Sequence, residues 1–165
     1  MKRDNLIIED ARIVFRNFEG REGEYNREGD RNFSVVIEDP DMAETLIRDG
    51  WNLKAFKKQD PDDETVYHVK VSVNMDGDWP AKLFLVNRRG IPNRLDEDTV
   101  RQLDKIELDR IDLTINPSSW EVNGKSGIKA YLKDLYASQV EDELARKYSR
   151  DFDDGEPMES FSYRR

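Results

Sequence analysis

Between residues 109 and 136 apolar and polar positions alternate with a period of two, the spacing that sends successive side chains to opposite faces of a β-strand. Ile111, Leu113 and Ile115 make one apolar row, with Asp112 and Thr114 on the other face, and Ile128, Ala130 and Leu132 make a second. Between them stand Trp120 and the run Asn123-Gly124-Lys125-Ser126-Gly127. Asn and Gly both tolerate positive φ, so the pair predicts a hairpin, here with a loop from Pro117 to Ser126 that exceeds a two-residue turn. The outward row of the second strand is then Lys129, Tyr131 and Lys133. A two-stranded unit with one apolar face needs the rest of the chain to cover it.

The same alternation predicts the other strands. Residues 6–18 read as a long first strand, with Ala11, Ile13 and Phe15 facing the core and Arg12, Val14 and Arg16 facing out. Gly20, Gly23 and Gly29 amid charges mark a mobile loop that carries Tyr25. Phe33, Val35 and Ile37 mark the next strand. Asp39-Pro40 starts a helix, because the Asp side chain can cap a free N–H and proline at the first position loses no needed donor. Met42, Leu46 and Ile47 would face inward and Gly50 would end it. Trp51, Leu53 and Ala55 alternate with Asn52, Lys54 and Phe56, giving a second outward row of Lys54, Phe56 and Lys58. Tyr67, Val69, Val71 and Val73 follow, with His68 on the polar face, and then a short strand from Lys82 to Val86. A second helix opens at Leu95-Asp96 and buries Val100, Leu103 and Ile106; Glu141 to Tyr148 form a third, short one.

About seven half-buried strands with two helical insertions fit a mainly β (α+β) domain. The architecture expected is an OB-fold-like antiparallel β-barrel over residues 1–148, with a half-open sandwich as competitor. Residues 149–165 hold few apolar side chains to offset ordering entropy, and read as a flexible, disordered acidic C-terminal tail.

Composition narrows the chemistry. Without cysteine there are neither disulfides nor thiolate metal sites, and His68 is the single histidine, which removes multi-histidine metal centres and most Ser-His or Cys-His devices. No apolar run approaches the roughly 20 residues that span a bilayer, and no signal-peptide core follows Met1. A cytoplasmic protein without a membrane is expected. Asp76-Gly77-Asp78 reads as a turn rather than a cation site, and no phosphate loop opens a helix. Neither enzyme activity, metal nor cofactor is expected.

The formal charge is −9. From Gln139 onward there are eight acids and five bases, which leaves −6 on residues 1–138, so a basic site has to be local. Two rows offer one. Lys54, Phe56, Lys58 and Lys129, Tyr131, Lys133 both interleave cations with rings, and Arg12, Arg16, Tyr25 and Lys125 could join them. Proteins that hold single strands combine these elements, rings for bases and cations for phosphates. The plainer reading is a set of solvent-facing strand residues. Trp120 is either a stacking ring or, by slight preference, a plug over the barrel end.

GWNLK at 50–54, RNF at 31–33 and WEVNGKSGIKAYLKDLY at 120–136 resemble a family of small bacteriophage proteins, mostly of unassigned function, linked to replication and recombination genes. The resemblance runs from Asn5 to Tyr148. It implies an OB-like fold and non-catalytic, sequence-tolerant binding of single-stranded DNA in phage replication or recombination. It also implies an acidic tail ending in an aromatic that recruits replication or recombination proteins, whereas this chain ends Phe161-Ser162-Tyr163-Arg164-Arg165. A homodimer is compatible with all of this. The competing reading is an acidic phage interaction protein that inhibits a host DNA-binding or defence enzyme by imitating phosphates, which the net charge favours; a phage structural component is a further rival.

Overall fold

The structure is a computed structural model that describes residues 4–140. The chain forms β1 (Leu6–Ile8), β2 (Ile13–Asn17), β3 (Arg31–Ile37), α1 (Pro40–Arg48), β4 (Leu53–Ala55), β5 (Tyr67–Val73), β6 (Lys82–Val86) and β7 (Pro92–Leu95). A 3-10 turn (Val100–Asp104) then leads into β8 (Leu108–Val122) and β9 (Lys125–Gln139). One sheet runs in the order β1-β8-β9-β5-β3-β2, with β4 added to β5, and with β6 added to β9 and carrying β7. β5 and β9 are parallel, as are β6 and β9, and the other pairs are antiparallel. The described residues are mainly β with one α-helix, and the path does not close: β1 and β2 stand at its two ends. The expected helix over 141–148 and the acidic tail lie outside the described residues.

The central hairpin forms as its pattern dictates, with a tighter turn. Strands β8 and β9 pair up to Val122 and Lys125, leaving Asn123 and Gly124 as a two-residue turn at φ 52° and 80°. Positive φ at both positions is the primed geometry whose twist matches the flanking strands, so the loop expected from Pro117 to Ser126 is strand instead. The predicted rows Ile111, Leu113, Ile115 and Ile128, Ala130, Leu132 are buried. A bulge after Leu132 takes Lys133 out of register and brings Leu135 and Ala137 into the core. With these pack Val35, Val69, Val71 and Leu83, and Phe18 on Phe33 with ring centroids 5.2 Å apart. Each such side chain, fully buried, contributes about 1.5–3 kcal/mol.

Helix α1 starts as expected: Asp39 Oδ1 accepts from Asp41 N–H at 2.9 Å and Pro40 follows the cap. Its buried side is Ala43 and Leu46, while Ile47 is exposed. The expected second helix differs more. Leu95 ends β7, Asp96 and Thr99 bond reciprocally, and only the turn Val100–Asp104 follows, still burying Val100 and Leu103. Tertiary bonds cut it short. Asp104 accepts from the N–H groups of Phe18 and Glu19 at 2.8 and 2.9 Å, and Arg16 Nη1 donates to the carbonyls of Leu103 and Ile106, both at 2.8 Å.

The first strand also departs from its alternation. It is broken at Asp10 (φ 51°), and between Val14 and Asn17 it bulges, with Phe15 at φ 53°. Phe15, expected in the core, is 64 % exposed, because the extra residue turns its side chain to the opposite face.

Candidate nucleic-acid interface

Strand register decides which side chains share the outer face of β3, β5 and β9. Asn32, Ser34 and Val36 of β3 stand opposite Ser72, Lys70 and His68 of β5, and Ser72 stands opposite Tyr131 of β9. Across β8 the same face continues through Asn116 and Tyr131, Ser118 and Lys129, Trp120 and Gly127, and Val122 and Lys125. Beside β9, on the same edge of β5, Lys54 of β4 pairs with His68. The two rows read separately along the chain are thus brought onto one sheet, with Lys70 between them.

At one end of this face lies a hollow of about 620 Å³ lined by Asn32, Trp51, Lys70, Ser72, Trp120 and Lys129 among others. Lys129 Nζ sits 5.2 Å from the Tyr131 ring centroid, within cation–π range. Trp120 does not plug a barrel end. It is 43 % exposed, and its indole crosses the backbone of Gly127, where any Cβ would come within 2.9 Å of the ring's Cζ2. A glycine opposite the tryptophan is what lets the ring lie flat beside the groove.

The loop of residues 18–30 borders the other side. Tyr25 is 89 % exposed at its tip. Hydrogen bonds join the base of this loop: Asn26 Nδ2 donates to the carbonyls of Arg21 and Asp30 at 2.8 and 3.0 Å, its Oδ1 accepts from Asn32 at 2.8 Å, and Gly29 N–H donates to Gly20 O at 2.8 Å. Tyr25, Arg27 and Lys70 line a second, shallower hollow.

The far end of the face carries three rings. Phe56 lies 4.4 Å from His68 and 6.1 Å from Phe15, and Phe15 meets His68 edge-on at 5.4 Å. Aromatic pairs at these separations contribute about 0.5–1.5 kcal/mol each, less where solvent reaches them. The left-handed backbone at Phe15 works against them; strain of this kind costs of order 1–3 kcal/mol and is retained where the surroundings enforce it. Burial, and secondarily the Lys54 ammonium, lower the His68 pKa from its ordinary 6.5, so its imidazole is neutral at pH 7. His68 Nδ1 is buried without a hydrogen-bond partner.

The remaining sequence candidates are dispersed. Arg12 is exposed at the β2 edge, where its carbonyl accepts from Val36 N–H. Lys58 is exposed in the loop after the three-residue β4, which ends before Phe56, and Lys133 sits in the β9 bulge. Arg16 faces away from the row, committed to two backbone carbonyls. Pattern reading missed Phe15, hidden by the bulge, and Lys70, which the His68, Lys70, Ser72 alternation could have revealed. Asp76-Gly77-Asp78 is an exposed turn with Gly77 at φ 89°.

A family described as "Putative phage ssDNA-binding domain" matches residues 1–156. Among solved structures, the chain is similar to the single-stranded DNA-binding protein of bacteriophage Enc34 in complex with ssDNA, at 12 % identity over 84 % of this chain and 88 % of that one, TM-score 0.53. A second structure of the Enc34 protein aligns at 11 % identity, 84 % and 82 % coverage and TM-score 0.51. The single-stranded DNA-binding protein gp2.5 of bacteriophage T7 aligns at 10 % identity over 98 % and 100 % of the two chains, TM-score 0.41. At these identities the likeness speaks to fold alone, and at 0.41 the T7 protein adds nothing to it. No curated protein sequence matches the chain.

Proposed function

The chain belongs to the phage ssDNA-binding domain family, and from that membership we propose a non-catalytic protein that holds single-stranded DNA without regard to sequence during phage DNA replication and recombination, in the host cytoplasm. The observation that carries the site is the gathering of Lys54, Phe56, Lys70, Lys129, Tyr131 and Trp120 on one face of β3, β5 and β9, in a chain whose net charge is −9. Rings stack on any base, each worth about 1–3 kcal/mol, so a few cations suffice for the phosphates. Tyr25, Lys125 and Phe15 extend the face at its two bordering loops and its far end.

An OB-like arrangement supports this reading. If β1 and β2 are one bent leg, that leg pairs with β8 by its first part and with β3 by its second. The remaining pairs, β3 to β5, β5 parallel to β9 and β9 to β8, then complete a five-stranded ring. In such barrels oligonucleotides lie on strands two and three between the loops that join strands one to two and four to five. Those correspond here to the β3 and β5 face, the loop of residues 18–30 and the β8–β9 tip. Self-association and recruitment of replication proteins belong to the same proposal.

Oligonucleotide titrations at two or more salt concentrations test it. Tyr131→Ala is expected to weaken binding by about 1–3 kcal/mol with little change in salt slope. Lys129→Ala is expected to weaken binding and flatten the slope by about 0.7. Unchanged affinity in both variants would remove this face from the site, and affinity lost only in step with stability would mean that the two residues support the fold.

A further inference from the structure

The chain is acidic overall, yet from Ala81 to Leu95 it contains Lys82, Arg88, Arg89 and Arg94 and no acid. These residues form β6, its turn and β7, a hairpin outside the groove of β3 and β5. Phe84 pairs with Arg94 on one side and with Tyr136 of β9 on the other, which places the three side chains on one face together with Lys82. The Phe84 and Tyr136 rings stack with centroids 4.6 Å apart at 8°, and Tyr136 remains 40 % exposed.

β9 connects this surface to the groove. Its first half pairs with β5 at Tyr131 and its second half with β6 at Tyr136. Both tyrosines face outward, roughly 15 Å apart along the strand, with Lys133 in the bulge between them. Two acids adjoin the surface: Asp134 of β9 lies within it opposite Lys82, and Asp112 of the flanking β8 lies across from Tyr136, where Arg110 Nε approaches it at 3.3 Å.

We propose that the β6–β7 hairpin and the second half of β9 form a second segment of the single-strand path, in which the Phe84–Tyr136 stack receives a base and Arg94 and Lys82 meet the flanking phosphates. This rests on the groove reading above and extends it. Asp112 on β8 disfavours a polyanion there and directs the strand toward the hairpin, where Lys82 stands opposite Asp134 and offsets its charge. An acidic protein segment would answer the cations equally well, but it would make no use of the exposed ring stack or of the continuity through β9.

The test compares oligonucleotides of about 6 and about 20 nucleotides, the first within and the second beyond the span of one OB domain. Arg94→Ala and Tyr136→Leu are the variants, the latter keeping apolar bulk against Phe84. Both should bind the short oligonucleotide like the wild type. On the long one Tyr136→Leu should lose between about fivefold and a hundredfold, and Arg94→Ala should lose affinity with a salt slope flatter by about 0.7, which Arg94→Lys restores. Equal affinity of wild type and variants for the long oligonucleotide would overturn the inference, as expected of a surface for an acidic protein. Equal losses on both lengths, with a lowered melting temperature, would overturn it in favour of a structural stack. Failure of the wild type to bind even the short oligonucleotide in a salt-dependent way would instead sink the groove reading, and this extension with it.

Discussion

Phe15 couples backbone strain to the proposed stacking surface, and replacing it by alanine and by glycine separates the two. Its φ of 53° is left-handed, a conformation that costs a residue with a side chain about 1–2 kcal/mol and costs glycine nothing comparable. Glycine also loosens the unfolded chain, at about 0.4–1 kcal/mol. Phe15→Gly should therefore be more stable than Phe15→Ala by about 0.5–1 kcal/mol. That order is the reverse of an ordinary strand, where glycine is worse than alanine by about 0.5–1 kcal/mol. Both variants lose the ring contacts to His68 at 5.4 Å and Phe56 at 6.1 Å, so both should fall below wild type. For DNA the two should be alike, each weakened by about 1–3 kcal/mol through loss of one ring. Urea midpoints measure the first comparison, and fluorescence polarisation of a labelled oligonucleotide measures the second. An alanine variant more stable than the glycine variant would refute the left-handed bulge. Wild-type affinity in both would remove Phe15 from the binding face.

Three other outcomes follow from the geometry. Gly127→Ala puts a Cβ 2.9 Å from Trp120 and should lift the exposed indole; the expected result is altered tryptophan emission and weaker oligonucleotide binding with stability within about 1 kcal/mol of wild type, and unchanged emission would show that the ring is not seated there. Arg16→Ala should destabilise the protein by about 2–4 kcal/mol, since a charged donor leaves two carbonyls at 2.8 Å, without flattening the salt slope of binding; a flattened slope at full stability would return Arg16 to the phosphate contacts. The folded pKa of His68 lies below 6.5 because of burial and then Lys54, so the unfolded chain takes up the proton first and stability is lost as pH falls from 6.5 toward the folded value. His68→Phe should flatten urea midpoints over that window, and an unchanged pH profile would contradict the shift.

The hairpin of β8 and β9 was legible in the sequence because alternation and the Asn-Gly turn act locally: one face must be apolar, and both turn residues must accept positive φ. The cap at Asp39 was legible for the same reason. Where distant residues intervene, local reading failed. The second helix stops after one turn because Asp104 and the carbonyls of Leu103 and Ile106 are claimed by the segment around Arg16 and Phe18, more than eighty residues away in sequence. Lys133 falls in the bulge of β9, and Leu135, outward by simple alternation, is buried because one extra residue reverses the parity of all that follow it.

The same division holds for the candidate site. Sequence alone determined that Lys129 and Tyr131 share one face, that Lys54 belongs to a cation-bearing row, and that a basic surface in an acidic chain had to be local, since each follows from period-two geometry or from counting charge. Only tertiary structure could set those two rows on one sheet, because β4 and β9 pair with successive stretches of the same edge of β5, opposite β3, and β9 does so across more than fifty residues of chain. Only it could turn Phe15 outward, a choice made by a single backbone dihedral that no hydrophobic pattern records.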